Sequence, residues 1–179
     1  MKKNILIGVL VIVLAGCQKS VDTPVTSPSP VSAISSFDEC VAAGNPVMES
    51  YPPRCNANGQ TFTQEIGNES EFSDEISVGK PLPNQVISNP LQIDGKARGN
   101  WFFEANFSAE LIDANGKSLG EIPVQADAEW MTEEFVPFSG EIIFTTPETL
   151  TGSLIFKNAN PSGLPENDKQ IKIPVTFQE

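Results

Sequence analysis

The side chains able to do chemistry here are three cysteines, two tryptophans and a large excess of carboxylates; histidine is missing altogether. Without imidazole, Ser-His-Asp and Cys-His catalysis, HExxH zinc sites and most switching near neutral pH are excluded. Cys17, Cys40 and Cys55 are too far apart for a Cys-x-x-Cys redox or zinc motif, and no two carboxylates fall at a spacing that predicts an acid–base pair. Trp101 and Trp130 are aromatic contacts of two kinds. Each packs in a core or at its rim with one partner for its indole N–H, or offers an exposed ring to a peptide or sugar. The stretch Asn158–Asp168 gathers Asn160, Ser162 and Asp168, oxygen donors that a cation or a polar ligand can use. Its spacing fits no EF-hand, and its prolines and asparagines account for an ordered turn without an ion. Neither a metal nor a cofactor is called for. With 11 Lys and Arg against 23 Asp and Glu, a net charge of −12, nucleic acid is excluded as a partner.

The elements that would position these groups start with an address. Lys2 and Lys3 precede eleven apolar residues, Ile5 to Ala15, too few to span a bilayer as a helix. A charged start, a short apolar run and small residues at a cleavage point describe a signal peptide over residues 1–16. Leu14-Ala15-Gly16-Cys17 resembles the lipobox of bacterial lipoproteins. That resemblance implies cleavage before Cys17 and a diacylglyceryl group on its sulfur, so Cys17 is expected to be a membrane anchor. Losing Lys2 and Lys3 leaves 9 basic against 23 acidic side chains, or −14, a surface that anionic headgroups repel. Gln18, where an Asp would resemble an inner-membrane retention signal, favours the outer membrane if the host has one.

Residues 17–36 follow as a tether. Positions 18–36 hold three Pro, six Ser and two Thr, a composition that buries no core and reaches on the order of 50 Å when extended. Residues 37–63 form a small cystine segment. With Cys17 acylated, Cys40 and Cys55 are the two thiols left in an oxidising compartment, which predicts a disulfide between them. Phe37, Val41, Tyr51 and Phe62 are expected to supply its core, and Asn58-Gly59 its hairpin turn. Cys55-Asn56-Ala57-Asn58-Gly59-Gln60-Thr61-Phe62 resembles one fragment of Kazal-type inhibitors, without their six-cysteine framework. An inhibitor would present Arg54 or a neighbour on a rigid loop. Residues 64–75 carry five acids and no base, and read as a solvated, extended joint.

From residue 76 to 178 the pattern has period two. Leu91, Ile93, Gly95 and Ala97 alternate with polar residues, as do Phe103, Ala105, Phe107, Ala109 and Leu111. Asp113-Ala114-Asn115-Gly116 turns the chain, and further runs follow at 122–128, 136–144, 154–156 and 171–177. About seven short strands with Gly, Pro and Asn turns predict an all-β, immunoglobulin-like antiparallel β-sandwich. Pro123 and Pro174 are expected at edges or bulges.

Several blocks then agree in order with one family. Ser88-Asn89-Pro90-Leu91, Gly95-Lys96-Ala97-Arg98-Gly99-Asn100-Trp101-Phe102-Phe103-Glu104-Ala105, Trp130-Met131-Thr132-Glu133-Glu134-Phe135-Val136-Pro137-Phe138-Ser139 and Lys157-Asn158-Ala159-Asn160-Pro161-Ser162-Gly163 resemble the Gmad2 family. This is the immunoglobulin-like domain named from bacterial spore germination, and the resemblance covers about residues 74–178. It implies an immunoglobulin-like sandwich in an exported envelope protein, with no catalytic residue to carry over. The expected protein is therefore non-enzymatic and lipid-anchored in the cell envelope, where its domain binds a neighbouring envelope protein or cell-wall component. A role in spore germination and protease inhibition through residues 37–63 are the alternatives.

Overall fold

The computed structural model describes residues 33–178. The signal peptide, Cys17 and nearly all of the tether lie outside the described residues. The cystine segment begins with helix α1 (Phe37–Ala42). Ser36 caps it by accepting from the Glu39 amide at 3.1 Å. Three strands follow, β1 (Val47–Met48), β2 (Arg54–Ala57) and β3 (Gln60–Thr63), in the sheet order β1-β2-β3. The expected disulfide is present: Cys40 on α1 and Cys55 on β2 are bonded, with Cα atoms 6.1 Å apart. Asn58 and Gly59 take the left-handed φ values of 53° and 79° that a two-residue hairpin turn requires. The core differs from expectation. Both cysteines, Ala57 and Phe62 are buried, with Ile34 and Phe37 against them, whereas Val41 and Tyr51 are exposed. The half-cystines fill the volume that Val41 and Tyr51 were expected to fill.

The remaining strands are β4 (Ile76–Lys80), β5 (Gln85–Ile87), β6 (Leu91–Arg98), β7 (Asn106–Asp113), β8 (Ser118–Ala126), β9 (Phe135–Ile142), β10 (Thr151–Lys157) and β11 (Gln170–Phe177). They form one hydrogen-bonded ladder in the order β4-β6-β9-β8-β7-β10-β11-β5. β8 and β9 touch through just two residue pairs, Gln125–Ser139 and Ala126–Phe138. The ladder turns its corner there, and the layer β4-β6-β9 folds over the layer β8-β7-β10-β11-β5. Aromatic rings interlock between the layers. Phe107 on β7 meets Phe138 on β9 of the facing layer at 5.1 Å between centroids, and Phe156 on its own layer's β10 at 6.2 Å, both edge to face.

The immunoglobulin-like sandwich expected from the period-two pattern is thus the fold, with eight strands in place of about seven. The additional one is β5, three residues long and parallel to β11, too short to show alternation. A second difference lies at the start of β7. Phe103 was expected to begin an inward-facing row, yet it pairs with Asn106 across a tight turn at Glu104-Ala105 and is exposed. Phe102, one residue earlier, takes the buried place. Both prolines sit where their missing N–H has no ladder partner to lose. Pro123 lies on the stretch of β8 that has left β9, and Pro174 just before β11 gains β5.

The acid-rich joint is not the solvated spacer its composition predicts. Residues Glu69–Phe72 form a 3₁₀ turn packed on the sandwich. The side chain of Asn68 accepts from the Lys172 amide at 2.7 Å and donates to the Gln170 carbonyl at 3.2 Å, extending the β11 edge. Glu69 accepts from the Val78 amide on edge strand β4 at 2.7 Å. Phe72 packs edge to face on Trp101. Three of the five acids, Glu65, Glu69 and Glu75, accept from the Gly67 amide, the Val78 amide and the Trp101 indole, which composition alone does not reveal.

Gly67 makes this strap possible. Its φ is +80°, and a Cβ there would lie 1.8 Å from the Lys172 carbonyl oxygen. Gly67→Ala is therefore expected to cost about 1–3 kcal/mol of stability and to expose the Lys172 amide, read by thermal melting and by hydrogen exchange at that amide. On the outer face, Lys157 reaches Glu110 at 2.8 Å. That hydrogen bond first, and one from Ser118 second, hold the Glu110 carboxyl below its ordinary value of 4.5. A carboxylate lowered by folding stabilises the protein fully above its unfolded value and loses that contribution as pH falls through the folded one. Glu110→Gln should lower the melting temperature slightly at neutral pH and flatten its fall below pH about 4.5 by the same amount, a small one because Lys157 is 45% exposed.

Candidate functional site

The antiparallel ladder sorts the connections into two groups. Residues 99–105 join β6 to β7, residues 127–134 join β8 to β9, and residues 158–169 join β10 to β11. All three lie at the end of the sandwich where β4 begins, and they carry all the predicted contact residues. The loops brace one another. The Ala159 amide donates to the Trp101 carbonyl at 2.8 Å. Gly99 lies so close to the 127–134 loop that a Cβ would be 2.0 Å from the Thr132 carbonyl and 2.4 Å from that of Trp130.

Trp101 is not an exposed contact. It is fully buried, edge to face with Phe107 at 5.7 Å, and its indole N–H donates to Glu75 at 3.1 Å. Lys169 pairs with the same Glu75 oxygen. The ring faces inward because the short 3₁₀ turn Gly99–Trp101 rotates the chain as it leaves β6, a geometry that alternation does not encode. Trp130 is half-buried and rests against the core from the 127–134 loop, leaving part of the ring accessible.

Asn160, Ser162 and Asp168 do come together, but they satisfy one another. Asn160 donates through its amide to the Leu164 carbonyl at 2.8 Å and to the Asp168 carboxylate at 2.7 Å. Its amide oxygen accepts from the Ser162 hydroxyl at 2.5 Å. Asn158 closes the base of the loop, donating to the Asn167 carbonyl at 3.1 Å and accepting from the Lys169 amide at 2.7 Å. A cleft of about 500 Å³ runs beside this network, lined by Lys157, Asn158, Asn160, Asp168, Lys169 and Gln170. Among the described residues, no group of three or more metal-ligating side chains is assembled. The asparagine oxygens face N–H and O–H donors, an arrangement that orders a loop more than it coordinates a cation.

Sequence reasoning missed what each loop displays outward. Phe103 in the first loop is 46% exposed, Met131 in the second 74% and Leu164 in the third 50%. Phe103 owes its position to Glu104 and Ala105, whose φ values are 50° and 62°. Neither is a residue that favours the left-handed region, which side chains other than Gly, Asn and Asp enter at a cost. Asn-Gly would serve such a turn better, and the Glu-Ala pair gave no turn signal at all.

Residues 75–163 match the family model for Gmad2, the immunoglobulin-like domain of bacterial spore germination. This segment belongs to the Gmad2 family. The match runs from just before β4 into the third loop, and in the structure β11 continues the same sheet beyond it. Gmad2 is not a known enzyme family. Comparison with curated proteins found no match, and neither did comparison with solved structures.

The Glu104-Ala105 turn of the Gmad2 domain can be tested without a ligand. Glu104→Asn with Ala105→Gly should stabilise the protein by about 1–2 kcal/mol, seen as a higher midpoint in urea at unchanged slope. No gain would mean that the turn is not strained.

Proposed function

We propose that the protein is a lipid-anchored, non-enzymatic component of the bacterial cell envelope whose Gmad2 domain binds a neighbouring envelope component. The observation that carries this reading is the family match on a sandwich whose three loops at one end are braced together. A family named for spore germination fits an envelope location. The lipobox-like Leu14-Ala15-Gly16-Cys17 supplies the anchor, and the Pro- and Ser-rich residues after it supply the reach. Side chains that could have formed a reactive centre serve the scaffold: Trp101 and Glu75 hold each other, and Asn160 holds Asp168.

Spore germination is a second reading, favoured by the description of the family itself. Protease inhibition is less well supported. Arg54 lies on β2, the middle strand of its sheet, in register with Met48 on one side and Thr63 on the other. An inhibitory residue is presented on an accessible loop, and a central strand does not provide one.

The test is crosslinking of the full-length protein in its native host, with mass spectrometry of what is captured. A variant lacking residues 37–63 is run in parallel. Capture of the same envelope protein by both forms is the expected result. Capture that needs residues 37–63 would move recognition to the cystine segment, and capture of nothing specific would end the adaptor reading. In the same samples the peptide beginning at Cys17 should carry a diacylglyceryl group, and finding it unmodified would remove the anchor.

A further inference from the structure

We infer that the loop end of the sandwich is a docking surface for a cationic, amphipathic protein segment, one that sets apolar side chains among lysines or arginines. This names the chemistry of the partner and rests on the adaptor reading above. Charge makes the two ends of the domain unlike. The loops 99–105, 127–134 and 158–169 contain one, four and two carboxylates, seven in all, against a single cation, Lys169, which is already paired with Glu75. The connections at the other end, 81–90, 114–117 and 143–150, contain one Glu and one Lys, Glu148 and Lys117. Those two pair at 2.6 Å.

Three of the seven loop-end carboxylates are held in place without being neutralised. Asp127 accepts from the Ser139 hydroxyl at 2.8 Å, Glu129 from the Met131 amide at 3.1 Å, and Asp168 from Asn160 at 2.7 Å. Of these seven loop carboxylates Glu134 alone has a cation within ion-pair reach, Arg98 at 4.0 Å. Neutral donors fix geometry and leave the negative field for a partner, so little side-chain order remains to be gained on binding.

Each of the three loops also exposes one large apolar side chain: Phe103, Met131 and Leu164. Acids would steer a partner, and apolar anchors that lose water on contact would hold it. The turn behind Phe103 sets where its ring lies. Glu104 and Ala105 keep a left-handed conformation that neither favours, and it turns an aromatic ring outward. A lipid surface of anionic headgroups would be repelled by this field, and a bare cation has no use for the three apolar groups. The partner chemistry that meets both features is a basic segment with apolar teeth.

The test uses the full chain and a fluorescent synthetic peptide of lysine and leucine that forms an amphipathic helix, titrated by anisotropy at low and at physiological salt. Binding that weakens with salt is expected. The variant Phe103→Ser/Met131→Ser/Leu164→Ser should weaken it at least about tenfold while keeping the wild-type melting temperature, since all three side chains are exposed. Ile143→Ser/Leu150→Ser, changing exposed apolar residues at the opposite end, should leave binding unchanged. The proposal is overturned if the peptide does not bind, if the triple variant binds as well as wild type, or if a peptide with serine for leucine binds equally. Any of these, alongside successful capture of an envelope protein in cells, would sink the docking surface and leave the adaptor reading standing.

Discussion

Phe107 is the point on which the domain closes. Its ring lies edge to face with Trp101, Phe102, Phe138 and Phe156, drawn from both layers and from the loop between β6 and β7. Immunoglobulin-like sandwiches often join their two sheets with a disulfide. Here both cysteines of the described residues are spent in the segment before the sandwich, and interlocked aromatics join the layers instead. Everything else depends on that contact. The ladder can pass from one layer to the other through two residue pairs because the rings, and not the corner, hold the layers face to face.

From this nucleus the order spreads outward through Trp101. One edge of the indole touches Phe107, another meets Phe72, and its N–H reaches Glu75, which also takes Lys169. A single side chain thus ties together the core, the strap of residues 64–75, and the start of β11. The exposed ends of the loops rest on that base. Met131 and Leu164 lie in loops that touch the 99–105 connection through backbone contacts, so their positions follow from the buried frame.

How much of this was legible in the sequence follows from which forces alternate and which do not. Strands such as β6 and β11 were readable because one face is buried along their whole length, and burial at period two is written directly into side-chain type. The Cys40–Cys55 bond was readable by elimination, once the lipobox resemblance had claimed Cys17. The strap was not, since acids that accept from Val78 or Lys169 look the same in sequence as acids in solvent. Nor was the orientation of Trp101 and Phe103, because turn geometry at Gly99–Trp101 and at Glu104-Ala105 exchanges the faces of neighbouring residues. Of the contact residues, the Asn160–Ser162–Asp168 group was found by its composition, although composition did not say that its members bond to one another.

The strap also decides how the domain would respond to being pulled. A chain that entered at β4 would meet tension at the first residue of an edge strand, and its pairs with β6 would open one after another like a zip. Here tension arriving from the N-terminal side meets Glu65, whose carbonyl accepts from Asn84 at 2.7 Å, and then Asn68, bonded at Lys172 and Gln170 on the opposite layer, before it reaches Ile76. Several bonds on β11 then share the load, and the strand at the edge is shielded from peeling. On a chain pulled from its N-terminal side, that arrangement turns a hinge into a shock absorber.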